Sequence, residues 1–388
     1  MQRNWKFYLV LAGILLLAGL FTTQLLAAND AEKAPYVVGA FLSVTGANAP
    51  LGTPERDTLV MLEKQINQAG GVNGHPLKLM IEDDASDNTK AVIAVKKLIE
   101  QDKVCAIIGG SGTGPTMAVI PIVEEAKIPQ IALAAGIAIT DPIKNFVFRV
   151  APTDYTMSGK IFSYFTKHKI TKIAIIYDSN AYGVSGRDQV RIWASKNKVT
   201  IVDEESFAST DTDMTVQLTK IRAANPQAIV CWGTNPGPAQ VAKGVKQLAI
   251  KIPLFMSHGV ANQAFLDQAG PSAEGVILPA VKLIVAGDLK SSDPQKKVLL
   301  KYAESFQQTY NRSADHYGGH AWDALNIIVQ ALQKVGNDPT KLRDEIEKTK
   351  NFVGIGGIFN YSPTNHDLSG DSCAMLMIKK GKWTVLKD

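Results

Sequence analysis

The chain has 388 residues, of which 46% are hydrophobic and 20% are charged, enough for a large buried core spread over two or three domains. Its formal net charge is only +5, and the Lys and Arg residues are scattered along the chain. This distribution argues against nucleic acid as a partner, because nucleic-acid surfaces normally show a basic stripe.

The first segment has the features of a secretory signal peptide. Arg3 and Lys6 precede an apolar run from Phe7 to Leu26, and the small residues Ala27 and Ala28 follow it. This order predicts a cleavable signal peptide over residues 1–28 and a periplasmic mature protein. The apolar run approaches the length of about 20 residues that spans a bilayer. An uncleaved membrane anchor is therefore the alternative.

From Pro35 onward, short β-rich runs alternate with longer segments of helical period. The strand candidates are YVVGAF, LKLMIE, VCAIIG, QIALA, FVFRV, KIAIIYD, VTIVDEE, AIVCWG, PLFMS and GVILPAV. Between them lie helical candidates such as RDTLVMLEKQINQ and TKAVIAVKKLIEQ. Near-continuous apolar strands that alternate with helices predict an α/β fold, with parallel sheets covered by helices on both faces.

This series occurs twice in loosely similar form, which predicts two doubly wound, Rossmann-like lobes. We expect lobe 1 to comprise residues 36–151 and a returning part at 281–357. Lobe 2 is expected to comprise residues 152–280 and closing strands at 358–388, so the chain crosses a multi-crossover hinge. Two such lobes would place the carboxyl ends of their strands around a cleft, where open α/β sheets bind ligands.

The loop IIGGSGTGPT (residues 107–116) follows a predicted strand and leads into a predicted helix. Its glycines let the backbone approach a ligand closely, and Pro115 suits the first turn of a helix. Thr113 stands where a hydroxyl and free N–H groups can bind an anion. The loop matches neither a nucleotide P-loop, nor G-x-G-x-x-G, nor the G-x-S-x-G of hydrolases. It predicts either a small-carboxylate site or a tight turn that packs strand against helix.

Other reactive residues give weaker signals. His316 and His320 have the i, i+4 spacing of metal ligands, but no carboxylate pattern accompanies them. The acidic run EDDASD is better explained by N-capping and solvation than by a metal cluster. Cys105, Cys231 and Cys373 lie in or beside apolar runs and are expected to be buried thiols. No nucleophile–base pair is recognisable, so we expect no enzyme and no cofactor.

Several stretches resemble the type I periplasmic solute-binding proteins of ABC importers, specifically the branched-chain amino-acid (Leu/Ile/Val-binding) family. They are VGAFLSVTGANAPLG, QINQAGGVNGHPLKLMIEDDASD, IIGGSGTG, IAIIYDSNAYGVSG, FMSHGVAN and AEGV. Their order and spacing carry the resemblance across nearly the whole mature chain. It implies a hinged, two-lobed receptor that closes on a small solute and docks onto an ABC permease of the inner membrane. A ligand-sensing module of the same fold is a further possibility.

The resemblance also implies contact positions for the ligand. Thr113 matches a hydroxyl residue that binds the ligand carboxylate together with backbone N–H groups. Tyr182 matches an aromatic residue that covers the ligand from lobe 2, and Asn235 lies near a second lobe-2 contact. The remaining expected contacts lie in lobe 1 and are Ser43, Gly112, Ala134 and Gly136.

Two positions depart from the family pattern. His258, in FMSHGVAN, stands where amino-acid binders of the family carry an acid that pairs with the ligand ammonium. Gly136 stands where they commonly carry Ser or Thr. Burying an ammonium without an anionic partner is costly, so we expect a carboxylate ligand without an α-amino group, such as an aromatic, keto, aliphatic or dicarboxylic acid. The alternative is an amino-acid ligand whose acid is supplied by Asp267 or Glu274.

Overall fold

The computed structural model describes residues 33–369 and 372–386. The predicted signal peptide at residues 1–28 lies outside these ranges. Within them, no helix combines the length and the apolar character that a membrane span requires.

Five parallel strands form the sheet of lobe 1, in the spatial order β2-β1-β3-β4-β5. The strands are β1 (Tyr36–Leu42), β2 (Leu77–Asp83), β3 (Ala106–Gly109), β4 (Gln130–Ala132) and β5 (Val147–Arg149). Val38 and Ala40 of β1 pack into one helical layer, whereas Phe41 packs into the other. Both faces of the sheet are therefore buried, as the near-continuous apolar strands predict.

A larger sheet of seven strands forms lobe 2, in the order β15-β14-β10-β9-β8-β6-β7. Its parallel strands are β6 (Lys172–Asp178), β7 (Thr200–Phe207), β8 (Ala228–Trp232), β9 (Leu254–Met256) and β10 (Ile277–Val281). Two strands from the end of the chain, β14 (Cys373–Lys379) and β15 (Lys382–Val385), extend it in antiparallel fashion beyond β10. Together the two sheets confirm the predicted α/β class and the two-lobed fold.

Helices cover the sheets and divide between the lobes as follows. Those of lobe 1 are α1 (Ala49–Gln68), α2 (Asn88–Glu100), α3 (Thr113–Ala126), α9 (Lys296–Tyr310), α10 (His316–Val335) and α11 (Pro339–Glu347). Those of lobe 2 are α4 (Asp154–His168), α5 (Ala181–Asn197), α6 (Thr215–Ala223), α7 (Gly237–Gln247) and α8 (Gln263–Ala269). Helix α10 packs along α1, so a late part of the chain completes the first lobe.

A small antiparallel sheet corrects one expected boundary. Its strands are β11 (Phe352–Val353), β12 (Ile358–Phe359) and β13 (Leu368–Ser369). Phe359 and Tyr361 are buried in the core of lobe 1, where Tyr361 lies with its ring centroid 5.3 Å from that of Phe148. The expected return to lobe 2 at residue 358 is therefore too early, because these aromatic side chains hold the segment on lobe 1. The chain rejoins lobe 2 only at β14.

The acidic run EDDASD serves the backbone, as its position before a helix predicts. Asp87 caps α2 by accepting from the Lys90 N–H at 2.8 Å. Asp84 accepts from the Ser43 hydroxyl at 2.6 Å, and Asp83 accepts from backbone N–H groups after β1. Over residues 33–369 and 372–386, no group of three or more His, Cys, Asp or Glu is placed to hold a metal ion.

The three cysteines are buried, as expected. Cys105 immediately precedes β3, whereas Cys231 and Cys373 lie in β8 and β14. Burial raises the pKa of the Cys105 thiol to about 12, so it stays protonated and acts as a small apolar side chain.

Candidate ligand-binding cleft

A cavity of about 310 Å³ lies between the lobes, beyond the carboxyl ends of their parallel strands. Lobe 1 lines it with the β3–α3 loop, the segment after β4 and the first turn of α10. Lobe 2 lines it with the start of α5, Thr234 and the turn at His258–Gly259. Among the described residues that line the cavity, none is Asp, Glu, Lys or Arg. Its walls therefore offer apolar surface, hydroxyls, amides and imidazoles.

The amino end of α3 points its polar groups at this cavity. Gly112 is the N-cap residue, without a side chain to satisfy the first N–H groups of the helix. Thr113, the first helical residue, has a buried hydroxyl with no hydrogen-bond partner within the described chain. The hydroxyl of Thr116 is engaged, because it donates to the Gly112 carbonyl at 2.7 Å. Free N–H groups, the helix dipole and an available hydroxyl form a site suited to a carboxylate.

Ser111 lines the same end of the cavity and leads to a buried acid behind it. Its hydroxyl donates to Glu55 and accepts from the Ser43 N–H at 3.0 Å. Glu55 is fully buried, and burial raises the pKa of its carboxyl well above the usual range. Ser43 does not line the cavity: its hydroxyl is held by Asp84 behind the wall. Its expected role as a ligand contact is therefore corrected to a supporting one.

The segment after β4 presents Ala134 to the cavity but not Gly136. A Cβ at Gly136 would lie 2.4 Å from the Cγ2 atom of Thr113, so the Thr113 side chain occupies the space that a side chain at 136 would need. The buried Arg149 guanidinium donates to the Gly136 carbonyl at 2.6 Å and to the Asp367 carboxylate at 2.7 Å. A side chain at position 136 would therefore displace Thr113 in this structure, and Arg149 holds the segment in place.

From lobe 2, Tyr182 lines the cavity near the start of α5, and its hydroxyl lies 3.4 Å from the His258 Nδ1 atom. Asn235 does not line the cavity, because its amide donates to the Asn262 side chain at 3.3 Å inside the lobe. The neighbouring Thr234 faces the cavity instead. The expected contact at Asn235 is therefore wrong, and the neighbouring Thr234 takes its place.

His258 lines the cavity at the position where the resemblance places an acid. Burial, together with the nearby His316 and Arg149, lowers the pKa of His258 to about 3. The side chain is therefore a neutral imidazole at neutral pH, able to donate or accept one hydrogen bond at each nitrogen according to its tautomer.

Sequence reasoning missed three residues of α10 that line the cavity: His316, Tyr317 and His320. The i, i+4 spacing of the two histidines places them on one face of the helix, and this signal could have found them, although on its own it indicates only a weak metal motif. Burial lowers the pKa of His316 to about 4 and that of His320 well below its usual value. Among the described residues that line the cavity, none therefore carries a formal charge at neutral pH.

The lobes touch beside the cavity. The Tyr317 hydroxyl of α10 donates to the Gly259 carbonyl at 2.7 Å, and the His316 Nδ1–H donates to the Ala261 carbonyl at 3.2 Å. On another side, the Ile137 N–H lies 3.4 Å from the Ser185 hydroxyl of α5. These contacts join lobe 1 to lobe 2 directly.

Comparisons with known proteins agree with this architecture. The family model described as periplasmic binding protein matches residues 35–382. The "Leucine-, isoleucine-, valine-, threonine-, and alanine-binding protein" of Pseudomonas aeruginosa is 25% identical, over 78% of this chain and 79% of its own length. An extracellular ligand-binding receptor from Rhodopseudomonas palustris HaA2 superposes with a TM-score of 0.86 and 26% identity, over 91% of this chain and all of that one.

A third similar structure is a branched-chain amino acid transporter substrate binding protein from Streptococcus pneumoniae, solved in complex with isoleucine. It has a TM-score of 0.79 at 22% identity, over 90% of this chain and 98% of that one, and this likeness supports the fold alone. The family model spans the two lobes almost from end to end. The chain therefore belongs to the periplasmic binding protein family, with the two-lobed type I fold, and it resembles relatives named for binding leucine, isoleucine and valine.

Proposed function

We propose that this protein captures a small carboxylate ligand without an α-ammonium group and delivers it to an ABC permease. The observation that carries the proposal is the charge of the cavity. Its described lining residues include no acid, whereas the amino end of α3 and the unpartnered Thr113 hydroxyl offer a carboxylate site. Aromatic, keto and aliphatic acids fit a cavity whose remaining walls are apolar or neutral.

The two acids that a shifted alignment would offer lie elsewhere. Glu274 is exposed and accepts from the N–H groups of Lys380 and Gly381. Asp267 accepts from the Gln263 side chain at 2.8 Å on an exposed turn of α8. Neither residue lines the cavity, so neither is placed to pair with a ligand ammonium.

Capture would proceed by closure of the lobes. A ligand stabilises the closed state to the extent that it contacts both lobes. Thr113 and Ala134 belong to lobe 1, and Tyr182 and His258 belong to lobe 2. A carboxylate seated on α3 leaves the body of the ligand against Tyr182 and His258, which ties binding to closure.

The second candidate is a branched-chain amino acid, and the names of the relatives favour it. The Pseudomonas aeruginosa relative is named for leucine, isoleucine, valine, threonine and alanine. An amino acid in this cavity would bury its ammonium against neutral histidines. Such burial without an anion costs about 3 kcal/mol or more, which is about a hundredfold in dissociation constant.

The test compares matched pairs that differ only by the amino group. Leucine is set against 4-methylpentanoate, and phenylalanine against 3-phenylpropanoate, by thermal shift and calorimetry on the purified mature protein. We expect the amino-free member of a pair to bind more tightly. His258→Glu should then strengthen binding of the amino acid, while His258→Gln, the uncharged control, should not. Tighter binding of leucine than of 4-methylpentanoate by the unmodified protein would contradict the proposal.

A further inference from the structure

Three imidazoles gather at one part of the cavity wall, from two elements. His316 and His320 come from the first turns of α10, and His258 comes from the turn after β9. The ring centroids of His316 and His320 are 5.5 Å apart, with the rings nearly perpendicular. One small polar group could therefore contact both rings.

These imidazoles are short of hydrogen-bond partners. Both nitrogens of His320 and the Nε2 atom of His316 are buried without a partner among the described residues. The two side chains belong to residues only 2% and 4% exposed. Buried polar groups in folded proteins are nearly always paired, so three unpaired nitrogens on two residues that line one cavity point to a ligand group.

His366 shows what a structural buried histidine looks like in the same molecule. It is fully buried, its Nδ1–H donates to the Val147 carbonyl at 2.8 Å, and its Nε2 atom lies 3.1 Å from the Glu347 carboxylate. Both nitrogens of His366 are satisfied by the protein. His320 has the same burial and no partner within hydrogen-bonding distance, although the Leu133 carbonyl lies near its ring, so packing alone does not explain it.

The available hydrogen-bonding roles indicate the chemistry of the missing partner. The His316 Nδ1–H donates to the Ala261 carbonyl, which leaves Nε2 of the neutral ring as an acceptor. Neutral His320 has one donor and one acceptor. A hydroxyl meets both demands, because it can donate to His316 and accept from His320. A second carboxylate cannot donate when ionised, so it would leave the acceptor on His316 unpaired.

We propose that His316 and His320, with His258 beside them, form a second polar subsite that binds an uncharged hydroxyl group of the ligand. The inference rests on the proposed function in one respect, that this cavity is the ligand site. It narrows the ligand class to hydroxylated acids and disfavours dicarboxylates. The histidines of α10 would bind the hydroxyl group, and the amino end of α3 would bind the carboxylate.

The binding test uses pairs of probes that differ by one hydroxyl: 4-hydroxybenzoate against benzoate, and threonine against valine. We expect the hydroxylated member of the pair that binds to be favoured by about tenfold, since the hydroxyl gains two hydrogen bonds in place of those it makes with water. In His320→Leu the ratio of the two dissociation constants should fall to about one, whereas His320→Gln should retain part of the preference. His168→Leu, at an exposed position, is the matched control and should leave the preference unchanged.

The two probe pairs separate this inference from the proposed function. If only threonine and valine bind, the amino-free ligand class is wrong, but the hydroxyl preference is still measured. A preference absent from the unmodified protein, or unchanged in His320→Leu, would overturn the hydroxyl subsite.

A second measurement needs no ligand. His320→Leu removes unpaired buried nitrogens, so its unfolding by urea should show a stability equal to or above that of the unmodified protein. His366→Leu removes satisfied nitrogens and should destabilise. If His320→Leu loses as much stability as His366→Leu, His320 is a structural residue and the subsite is refuted, whatever the probes do.

Discussion

The contact between Gly136 and Thr113 predicts an unusual result for a glycine-to-alanine change. Gly136 has φ −58° and ψ 127°, which alanine adopts without difficulty. By backbone entropy alone, Gly136→Ala would stabilise the protein by about 0.4–1 kcal/mol. The new Cβ, however, would lie 2.4 Å from the Thr113 Cγ2 atom, and overpacking of this kind costs about 1–3 kcal/mol. We therefore expect a net destabilisation of about 1–2 kcal/mol.

Thr113→Ser supplies the internal check, because it removes Cγ2 and keeps the hydroxyl. The double variant Thr113→Ser/Gly136→Ala should recover most of the loss, which gives a coupling energy of about 1 kcal/mol in a double-mutant cycle measured by urea unfolding. A Cβ at Gly287 would meet no atom within 4 Å, so Gly287→Ala is the control and should not destabilise. A Gly136→Ala variant as stable as the unmodified protein, or a loss that Thr113→Ser leaves intact, would refute the steric reasoning.

Two further predictions concern buried ionisable side chains behind the cavity. Burial holds the pKa of Glu55 well above its usual 4.5, so the native state binds more protons than the unfolded state and the free energy of unfolding falls as pH rises above about 4.5. Glu55→Gln, which can still bond Ser111, should flatten this fall in urea titrations over a pH series; an unchanged slope would show that Glu55 is ionised in the folded protein. Arg149→Lys cannot reproduce the bonds to Asp367 and to the Gly136 carbonyl and should cost about 2–4 kcal/mol of unfolding free energy. A melting temperature equal to that of the unmodified protein would show that Arg149 does not hold the segment.

Much of the fold could be predicted because apolar strands and helical periods are local signals. The run VCAIIG and the helix that begins near Thr113 both follow from the sequence pattern. The assignment of residues 358–369 could not be predicted in this way. Buried contacts of Phe359 and Tyr361 with aromatic neighbours place this segment on lobe 1. Such long-range contacts produce no periodic pattern in the sequence.

The binding site likewise contains residues that the sequence predicts and residues whose position depends on long-range packing. Thr113 can be predicted from the glycine-rich loop that follows a strand, where ligand contacts collect. Ala134, Tyr182 and His258 are implied only by the family resemblance. The α10 histidines lie far along the chain, in a segment expected only to return and complete lobe 1. Their position at the cavity depends on the packing of α10 along α1, and no sequence motif predicts that packing.

The placement of β14 and β15 has a consequence for how the molecule is made. Strand β10 acquires its outer neighbour only from residues 373–379, so lobe 2 lacks part of its sheet until these residues have been synthesised. An incomplete sheet leaves unpaired backbone groups at its edge, which favours delayed folding or pairing with other chains. Removal of the last two strands would therefore leave a lobe that aggregates, although every residue of the cavity is still present.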